Sequence, residues 1–261
     1  MEQNRLYLDL IKRALNNYLY FGGKRPFHRY SPLSDEVYSH YRWKIPEQSQ
    51  PHTLLHNAQL KCIEVLMLAV LEEGIPGDFI EAGVWRGGAA IFMRAVLQAV
   101  GSKDRIVWAA DSFEGIPRAE KYAHVEDRVN EWEDRWATSF DVVKANFQRY
   151  DLLDDQVRFL KGNFANTLPN APFNELALVR LDADSYESTK DAMEYLYPKI
   201  SIGGYIIIDD WHLPGCRRAI EEYRAVHQIN EEIVGILDAE KKGPYEVMWK
   251  IERKLTADAE V

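Results

Sequence analysis

Apolar and polar residues follow two different periods along this chain, and these periods predict its helices and strands. Residues 3–20 and 54–73 carry apolar side chains at intervals of three and four, the spacing of an amphipathic helix. From residue 77 onward, apolar runs of strand length alternate with stretches of helical spacing. Alternating strands and helices predict an α/β fold in which helices cover both faces of a mostly parallel sheet.

Seven apolar runs are predicted to form this sheet. Five parallel strands are expected at residues 78–84, 105–111, 156–161, 174–182 and 205–209. Between them we expect helices at 89–100, 139–150 (with Ser139 as N-cap), 185–199 and 215–227, and a turn at Gly203 and Gly204. Residues 232–237 and 245–251, on either side of Lys241, Lys242 and Gly243, are expected to close the sheet as a strand pair, with the last strand antiparallel.

Composition limits the classes of partner. With 261 residues, 46% of them hydrophobic, the chain can form one domain with a full core. Its net charge of −9 argues against nucleic acid and anionic membranes as partners. No apolar run reaches the roughly 18 residues of a spanning helix, and the N-terminus lacks a signal-peptide pattern. Cys62 and Cys216 have neither the number nor the spacing of a disulfide framework or a zinc site. We therefore expect a cytoplasmic protein that acts on a small molecule.

Two segments lack a clear period and are predicted to lie outside the core. Residues 22–52 are rich in aromatic, basic and proline residues, so we expect residues 1–53 to form a helical arm and lid before the main domain at 54–261. The aromatic and basic side chains of this arm either cover a substrate or contact a second subunit in a homodimer or larger assembly; they are His28, Arg29, Tyr30 and Trp43. Residues 118–138 are charged and contain tryptophan, which favours a surface insertion beside the ligand.

The segment GDFIEAGVWRGG, residues 77–88, joins the first strand to its helix through a glycine turn. Glycines let the backbone approach a ligand, and the free N–H groups at a helix start favour a negative group. Three residues separate Gly83 from Gly87, which is not the spacing of the dinucleotide fingerprint. Glu81 would repel a phosphate but attract a cationic ligand, and this points to S-adenosylmethionine, which carries an ammonium, a carboxylate and no phosphate. The alternative is a turn whose glycines only ease packing.

Asp111 ends the second predicted strand, next to the glycine turn in a parallel sheet. An acid at that position can accept hydrogen bonds from both hydroxyls of a ligand's ribose. The alternative interpretation is an aspartate that only caps a turn.

Aspartates also follow the fourth and fifth strands, at the edge of the sheet where the ligand is expected. Asp182 and Asp184 follow one strand, and Asp209 and Asp210 follow the other. Several carboxylates in one crevice cannot all stay ionised without a counter-charge. A hard divalent cation, magnesium or calcium, would supply it, and no cluster of Cys or His suggests zinc. In the alternative, Asp182 and Asp210 cap the helices that follow and the other two are solvated.

Four segments together resemble the macrocin O-methyltransferase family: GDFIEAGVWRGGAAIFMRAVL, WAADSFEGIP, VRFLKGNFANTLP and RLDADSYESTKDAMEYLYPKISIGGYIIIDDW. The similarity covers nearly the whole chain, including LYLDLIKRALNNYLY at the start. It implies a Rossmann-like class I methyltransferase fold and cation-dependent methyl transfer from S-adenosylmethionine to hydroxyls of sugars and phenolic units of antibiotics. The chain departs from the family at Asn163, where an aromatic is more frequent, and in the insertion at 118–138, where the choice of substrate would lie.

The resemblance also assigns residues to the site. It implies that the cofactor is lined by Glu81, Gly83, Gly87 and Asp182, its ribose side by Asp111 and Ser112, and its adenine by Gly162, Asn163 and Phe164. Thr53 would close over the methionine end of the cofactor. The metal, expected to be magnesium, would be held by Asp182, Asp209 and Asp210.

Methyl transfer to a hydroxyl needs an acceptor oxygen in line with the sulfonium methyl and a base for the proton. A cation that chelates two neighbouring substrate oxygens lowers the hydroxyl pKa and fixes its position. His212 is a candidate base because histidine has an ordinary pKa of about 6.5, and a surface histidine is the competing interpretation. Asp182 and Asp184 are the rival bases.

These residues together predict a magnesium-dependent O-methyltransferase that uses S-adenosylmethionine and a hydroxylated sugar or phenolic acceptor. A non-catalytic subunit that binds the cofactor is one alternative. A nicotinamide-dependent dehydrogenase is another, and the glycine spacing and Glu81 disfavour it.

Overall fold

The computed structural model describes residues 2–19, 50–119, 121–122, 136–236 and 244–255. They contain a seven-stranded sheet in the order β3-β2-β1-β4-β5-β7-β6. The strands are β1 Asp78–Ala82, β2 Val107–Asp111, β3 Val157–Lys161, β4 Leu176–Leu181, β5 Ile200–Ile208, β6 Val234–Ile236 and β7 Glu246–Lys250. Strands β1 to β5 pair in parallel, and β7 runs antiparallel to β5 and β6. The prediction of a mostly parallel, seven-stranded sheet with an antiparallel last strand is confirmed.

The described helices lie near the positions that the apolar spacing predicts, except α5, which was not predicted. They are α1 Glu2–Leu15, α2 Asn57–Glu72, α3 Gly88–Val100, α4 Phe140–Arg149, α5 Phe164–Thr167, α6 Tyr186–Leu196 and α7 Pro214–Val226. Short 3-10 turns follow α5 at Leu168–Asn170 and α6 at Tyr197–Lys199. The hydroxyl of Ser139 accepts a hydrogen bond from the Val142 N–H at 3.4 Å, so its predicted role as the N-cap of α4 is confirmed.

Gly203 and Gly204 do not form the turn predicted for them. Strand β5 begins at Ile200, and both glycines pair inside it: the Gly203 N–H donates to the Ile251 carbonyl at 2.7 Å, and the Ile251 N–H donates to the Gly204 carbonyl at 2.8 Å. A side chain at residue 204 would lie 2.8 Å from the carbonyl oxygen of Ala177. The prediction was wrong because glycine here permits close contact between β4 and β5 rather than a reversal of the chain.

Helices cover both faces of the sheet, which explains why its strands are apolar runs without alternation. Neighbouring residues of one strand face opposite layers, since Phe79 packs with α1 to α4 and Ile80 packs with α5 to α7. Leu8, Ile11 and Leu15 of α1 belong to the first of these layers. The N-terminal helix therefore contributes to the main core, and a domain boundary at residues 53 and 54 stays a prediction.

Several predictions concern residues outside the described ranges. The arm side chains His28, Arg29, Tyr30 and Trp43, the turn at 241–243 and most of the insertion at 118–138 lie there. Among the helices that the structure does describe, none is long and apolar enough to cross a membrane.

Candidate active site

A cavity of about 290 Å³ lies at the carboxyl edge of the sheet. Glu81 on β1, Asp111 on β2, Gly162 after β3 and Asp182 after β4 all line it. The carboxyl ends of parallel strands form the ligand crevice of doubly wound folds. The structure therefore brings the predicted cofactor residues together, and all of them except Gly87 line this cavity.

The glycine loop between β1 and α3 closes one end of the cavity through contacts that a side chain would prevent. Gly83 has a φ of +89°, and a Cβ there would overlap the carbonyl oxygen of Asp182. A Cβ on Gly88 would lie 2.5 Å from the Cβ of Thr53, which borders the cavity and is 5% exposed. Gly87, with a φ of +86°, is the N-cap of α3. The loop thus holds the ends of β1 and β4, the start of α3 and Thr53 against one another.

Glu81 is buried beneath this loop, and its carboxylate has a partner on each oxygen. Its Oε2 accepts a hydrogen bond from the Ala90 N–H in the first turn of α3, and its Oε1 accepts one from Arg180, both at 2.8 Å. Burial raises the pKa of Glu81 to about 8, Arg180 opposes the rise, and Asp182 adds to it. Glu81 thus has a positively charged partner within the protein, Arg180, and also lines the cavity where the cofactor is expected.

Asp111 organises two loops with one carboxylate. Its Oδ2 accepts hydrogen bonds from the N–H groups of Val84 at 2.7 Å and Trp85 at 3.3 Å, and its Oδ1 accepts one from the Phe113 N–H at 2.8 Å. Burial raises the pKa of Asp111, and these backbone hydrogen bonds lower it. Trp85 and Phe113 have φ values of +46° and +58°, which disfavour non-glycine residues. Asp111 therefore supports the loops, and it also borders the cavity where a ribose is expected.

Another wall of the cavity comes from the β3–α5 junction. The Gly162 N–H donates to the main-chain carbonyl of Asp111 at 2.9 Å, which ties this junction to the end of β2. Asn163 is the N-cap of α5 by position, but its side chain does not form the capping hydrogen bond. Asn163 and Phe164 line the cavity, where an adenine ring is expected.

Asp182, Asp184 and Asp210 form a carboxylate cluster at the ends of β4 and β5. One oxygen from each carboxylate lies within 4.8 Å of those of the other two. The Oδ2 of Asp210, a residue only 1% exposed, accepts a hydrogen bond from the Asp184 N–H at 3.0 Å. Asp184 itself has a φ of +58°. Carboxylate oxygens at this spacing match the ligands of a hard divalent cation such as magnesium.

Helix capping, the alternative role for two of these aspartates, is not what the structure shows. The N-cap of α6 is Ser185, whose hydroxyl accepts from the Ser188 N–H at 3.2 Å. The N-cap of α7 is Leu213. Neither Asp182 nor Asp210 therefore occupies the N-cap position of the helix that follows it.

Asp209 is not a member of this group of three, and it pairs with Arg180, a residue not singled out from sequence. Its Oδ1 accepts a hydrogen bond from the Arg180 Nη2 at 2.6 Å. The same guanidinium contacts Glu81, Asp182 and Glu246. Burial lowers the pKa of Arg180, but the four carboxylates together raise it well above its ordinary value. A charge inside the apolar run LALVRL of β4 is the sequence signal that could have identified it.

His212 does not line the cavity. The side chain is exposed, and its ring packs against Tyr245 with a centroid distance of 4.7 Å. Of the three candidate bases, the structure places Asp182 and Asp184 at the cavity wall.

The remaining wall comes from α6 and the two described ends of the insertion. Residues lining it that were not predicted are Arg118, Lys121, Trp136, Glu187, Ser188 and Asp191. The Oε2 of Glu187 accepts from the N–H groups of Lys121 at 2.9 Å and Tyr122 at 3.0 Å, which holds one end of the insertion on α6. Trp136 at the other end contacts Trp85 of the glycine loop, with ring centroids 6.1 Å apart. Both ends of the insertion thus border the cavity.

The chain matches the family model of the macrocin O-methyltransferases (TylF) over residues 4–241. The 8-demethyl-8-(2,3-dimethoxy-alpha-L-rhamnosyl)-tetracenomycin-C 4'-O-methyltransferase of Streptomyces olivaceus is 45% identical over 237 residues, covering 87% of this chain and 88% of the relative. The mycinamicin III 3''-O-methyltransferase of Micromonospora griseorubida is 42% identical over 248 residues, covering 92% of this chain and 95% of the relative.

The solved structure of the O-methyltransferase NovP has the same fold, with a TM-score of 0.81 and 39% sequence identity. The match covers 96% of this chain and 100% of the NovP chain. The resemblance and the Rossmann-like methyltransferase fold predicted from the sequence are therefore confirmed. On this evidence, the chain belongs to the macrocin O-methyltransferase family.

Proposed function

We propose that this protein transfers a methyl group from S-adenosylmethionine to a hydroxyl of a sugar or related small-molecule natural product, with magnesium as its divalent cation. The observation that carries this proposal is one cavity that reaches from the glycine loop to Asp182 and Asp184. The glycine loop would bind the methyl donor. The carboxylates of Asp182 and Asp184 would serve to activate a weakly acidic hydroxyl. The family and the relatives, one of them named for a rhamnosyl tetracenomycin, support this class of acceptor.

At the donor end, Asp111 is the residue that we assign to the ribose hydroxyls. Three backbone N–H groups already stabilise its charge, so the carboxylate is preorganised as an acceptor. Gly162, Asn163 and Phe164 would enclose the adenine, and Thr53 would cover the methionine end.

At the acceptor end, we assign the cation to Asp182 and Asp210, which belong both to the predicted ligand set and to the observed cluster. Their oxygens are the hard donors that magnesium prefers. When bound, the cation lowers the pKa of an acceptor hydroxyl and fixes its oxygen. Asp209, the third predicted ligand, is held by Arg180, and its contribution needs a separate measurement.

We assign the hydroxyl proton to Asp184. Its carboxylate belongs to the cluster, it lines the cavity, and its main chain is fixed by the hydrogen bond to Asp210. As the oxygen–methyl bond forms and the sulfur–methyl bond breaks, the proton passes from the hydroxyl to this carboxylate. His212 is the other candidate, and its exposed position against Tyr245 makes it the weaker one.

Asp→Asn variants separate these roles. Magnesium binding is measured by calorimetry, and methyl transfer by the gain of one methyl in the mass of glycosylated and phenolic acceptors. Asp182→Asn and Asp210→Asn should weaken magnesium binding by about tenfold or more and lose transfer. Asp184→Asn should keep magnesium binding and lower the transfer rate by about 10²–10⁴, the contribution of a general base. His212→Ala should leave both unchanged.

Asp209→Asn is compared with a matched control, Asp154→Asn, because each aspartate pairs with a buried arginine and Asp154 lies away from the cavity. Loss of magnesium binding in Asp209→Asn alone would make Asp209 a ligand, as the resemblance implies. Full activity of the unmodified enzyme in excess chelator would refute the metal assignment. Binding of S-adenosylhomocysteine without transfer to any acceptor would favour the non-catalytic alternative.

A further inference from the structure

We propose that Arg180 is a positioning residue that fixes the cofactor end and the cation end of the cavity relative to each other; this inference rests on the proposed function. Arg180 lies on β4, the middle strand of the seven, and is 1% exposed. It is among the residues that line the cavity, but its guanidinium is held by carboxylates, and the proposed positioning acts through them.

The guanidinium of Arg180 joins carboxylates from three neighbouring strands. Its Nη1 donates to the Glu81 Oε1 at 2.8 Å and to the Asp182 Oδ2 at 2.9 Å, and its Nη2 donates to the Asp209 Oδ1 at 2.6 Å. A guanidinium is planar and rigid, so carboxylates on its two arms keep a fixed separation. Arg180 therefore determines where these three carboxylates lie relative to one another.

These carboxylates reach outward to the two ends of the site. Glu81 also holds the start of α3 through the Ala90 N–H at 2.8 Å. Asp182 belongs to the cluster that we assign to the cation. A displacement of Arg180 would thus disturb the glycine loop and the carboxylate cluster together.

Arg180 also contacts a carboxylate that does not line the cavity. Its Nε lies 3.7 Å from the Oε1 of Glu246, a residue of β7 that is 1% exposed and does not line the cavity. Glu246 therefore provides a way to perturb Arg180 without changing any residue of the site.

Arg180 has two opposing effects on a bound cation, and one substitution separates them. Its positive charge repels the cation and lowers the affinity of the site for it. Its planar guanidinium, with N–H donors on two arms, keeps the carboxylates in place and raises that affinity. Arg180→Lys keeps the positive charge and removes the planar guanidinium group. A loss of affinity in this variant therefore measures positioning and not charge.

The experiment compares Arg180→Lys and Glu246→Gln with a control, Arg94→Lys. Arg94 is also a buried arginine that binds an aspartate with two arms, and its partner Asp154 lies outside the cavity. Calorimetry measures binding of Mn²⁺ and of S-adenosylhomocysteine separately, and the paramagnetic resonance spectrum of bound Mn²⁺ reports the symmetry of its ligands. Thermal unfolding confirms that each variant is folded.

In Arg180→Lys, Mn²⁺ and S-adenosylhomocysteine should each bind about tenfold more weakly, the lower end of the effect of residues that orient metal ligands, and the Mn²⁺ spectrum should change. Glu246→Gln should shift both affinities in the same direction by a smaller factor, and Arg94→Lys should shift neither. Affinities of Arg180→Lys within twofold of the unmodified protein would overturn the inference. If that variant does not fold, unchanged affinities in Glu246→Gln would overturn it.

Failure of the proposed function gives a different result. If the unmodified protein binds no Mn²⁺, the metal assignment fails. The S-adenosylhomocysteine measurements on the same variants then decide the role of Arg180 at the cofactor end: a tenfold loss supports it, and no loss overturns it.

Discussion

Gly88→Ala is expected to push residues 52 and 53 away from the glycine loop, against which they pack. A Cβ at residue 88 would lie 2.5 Å from the Thr53 Cβ and 2.6 Å from the carbonyl carbon of His52. Main-chain atoms cannot rotate out of the way, so residues 52 and 53 have to shift. Alanine gains at most about 1 kcal/mol over glycine in a helix, and overpacking costs about 1–3 kcal/mol. The expected result is a net destabilisation of about 1–2 kcal/mol.

Thermal unfolding and calorimetry measure this effect. For a chain of this size, the melting temperature should fall by about 2–8 °C. Thr53 borders the cavity, so part of the same free energy is lost from ligand binding. If all of the roughly 1–2 kcal/mol were lost there, S-adenosylhomocysteine would bind about 5–30 times more weakly, which is the upper bound of the expected effect.

Gly101→Ala is the matched control at the other end of α3. Gly101 has a φ of +73°, and a Cβ there would meet nothing within 4 Å. This variant should be destabilised only by the strain of an alanine in the left-handed conformation, about 1–2 kcal/mol, and residue 101 does not line the cavity. It should lower the melting temperature and keep the ligand affinity. Gly88→Ala with the stability and affinity of the unmodified protein would refute the reasoning, and so would equal losses of affinity in both variants.

Two further predictions concern side chains around the glycine loop. Asp111→Asn removes the charge that three loop amides stabilise, so S-adenosylhomocysteine binding should weaken by about 1.5–3 kcal/mol, and unchanged calorimetric affinity would contradict this. Burial, Arg86 and Arg149 lower the pKa of His52 to about 3. Since unfolded histidine takes up a proton below about 6.5 and the folded one only near pH 3, stability should fall by about 1.4 kcal/mol per pH unit as the pH drops from about 6 towards about 3. His52→Gln should remove this part of the pH dependence of the free energy of unfolding, and identical slopes for the two proteins would contradict the assignment.

The order and type of the elements follow from the sequence because their signals are local. A strand of a sheet covered on both faces is an apolar run, and a helix repeats its apolar side chains every three to four residues, so both patterns are visible within about ten residues. The glycine loop, the acids at the strand ends and the Ser139 cap are local in the same sense. Gly203 and Gly204 are the exception, since two glycines are typical of a turn, and only the neighbouring strand shows that they serve close packing.

The partners of the acidic side chains are a different matter, since the fold brings them from distant parts of the chain. Glu81 and Arg180 are 99 residues apart in sequence and are direct partners in the register of β1 and β4. Arg180 binds both Asp209 and Asp182, and the cluster consists of Asp182, Asp210 and Asp184, whose φ of +58° no local pattern predicts. The sequence thus predicts which acidic residues lie at the strand ends. Which carboxylates cluster together and which of them pair with an arginine is decided by strand order, register and burial, because an electrostatic contact depends on distances in space.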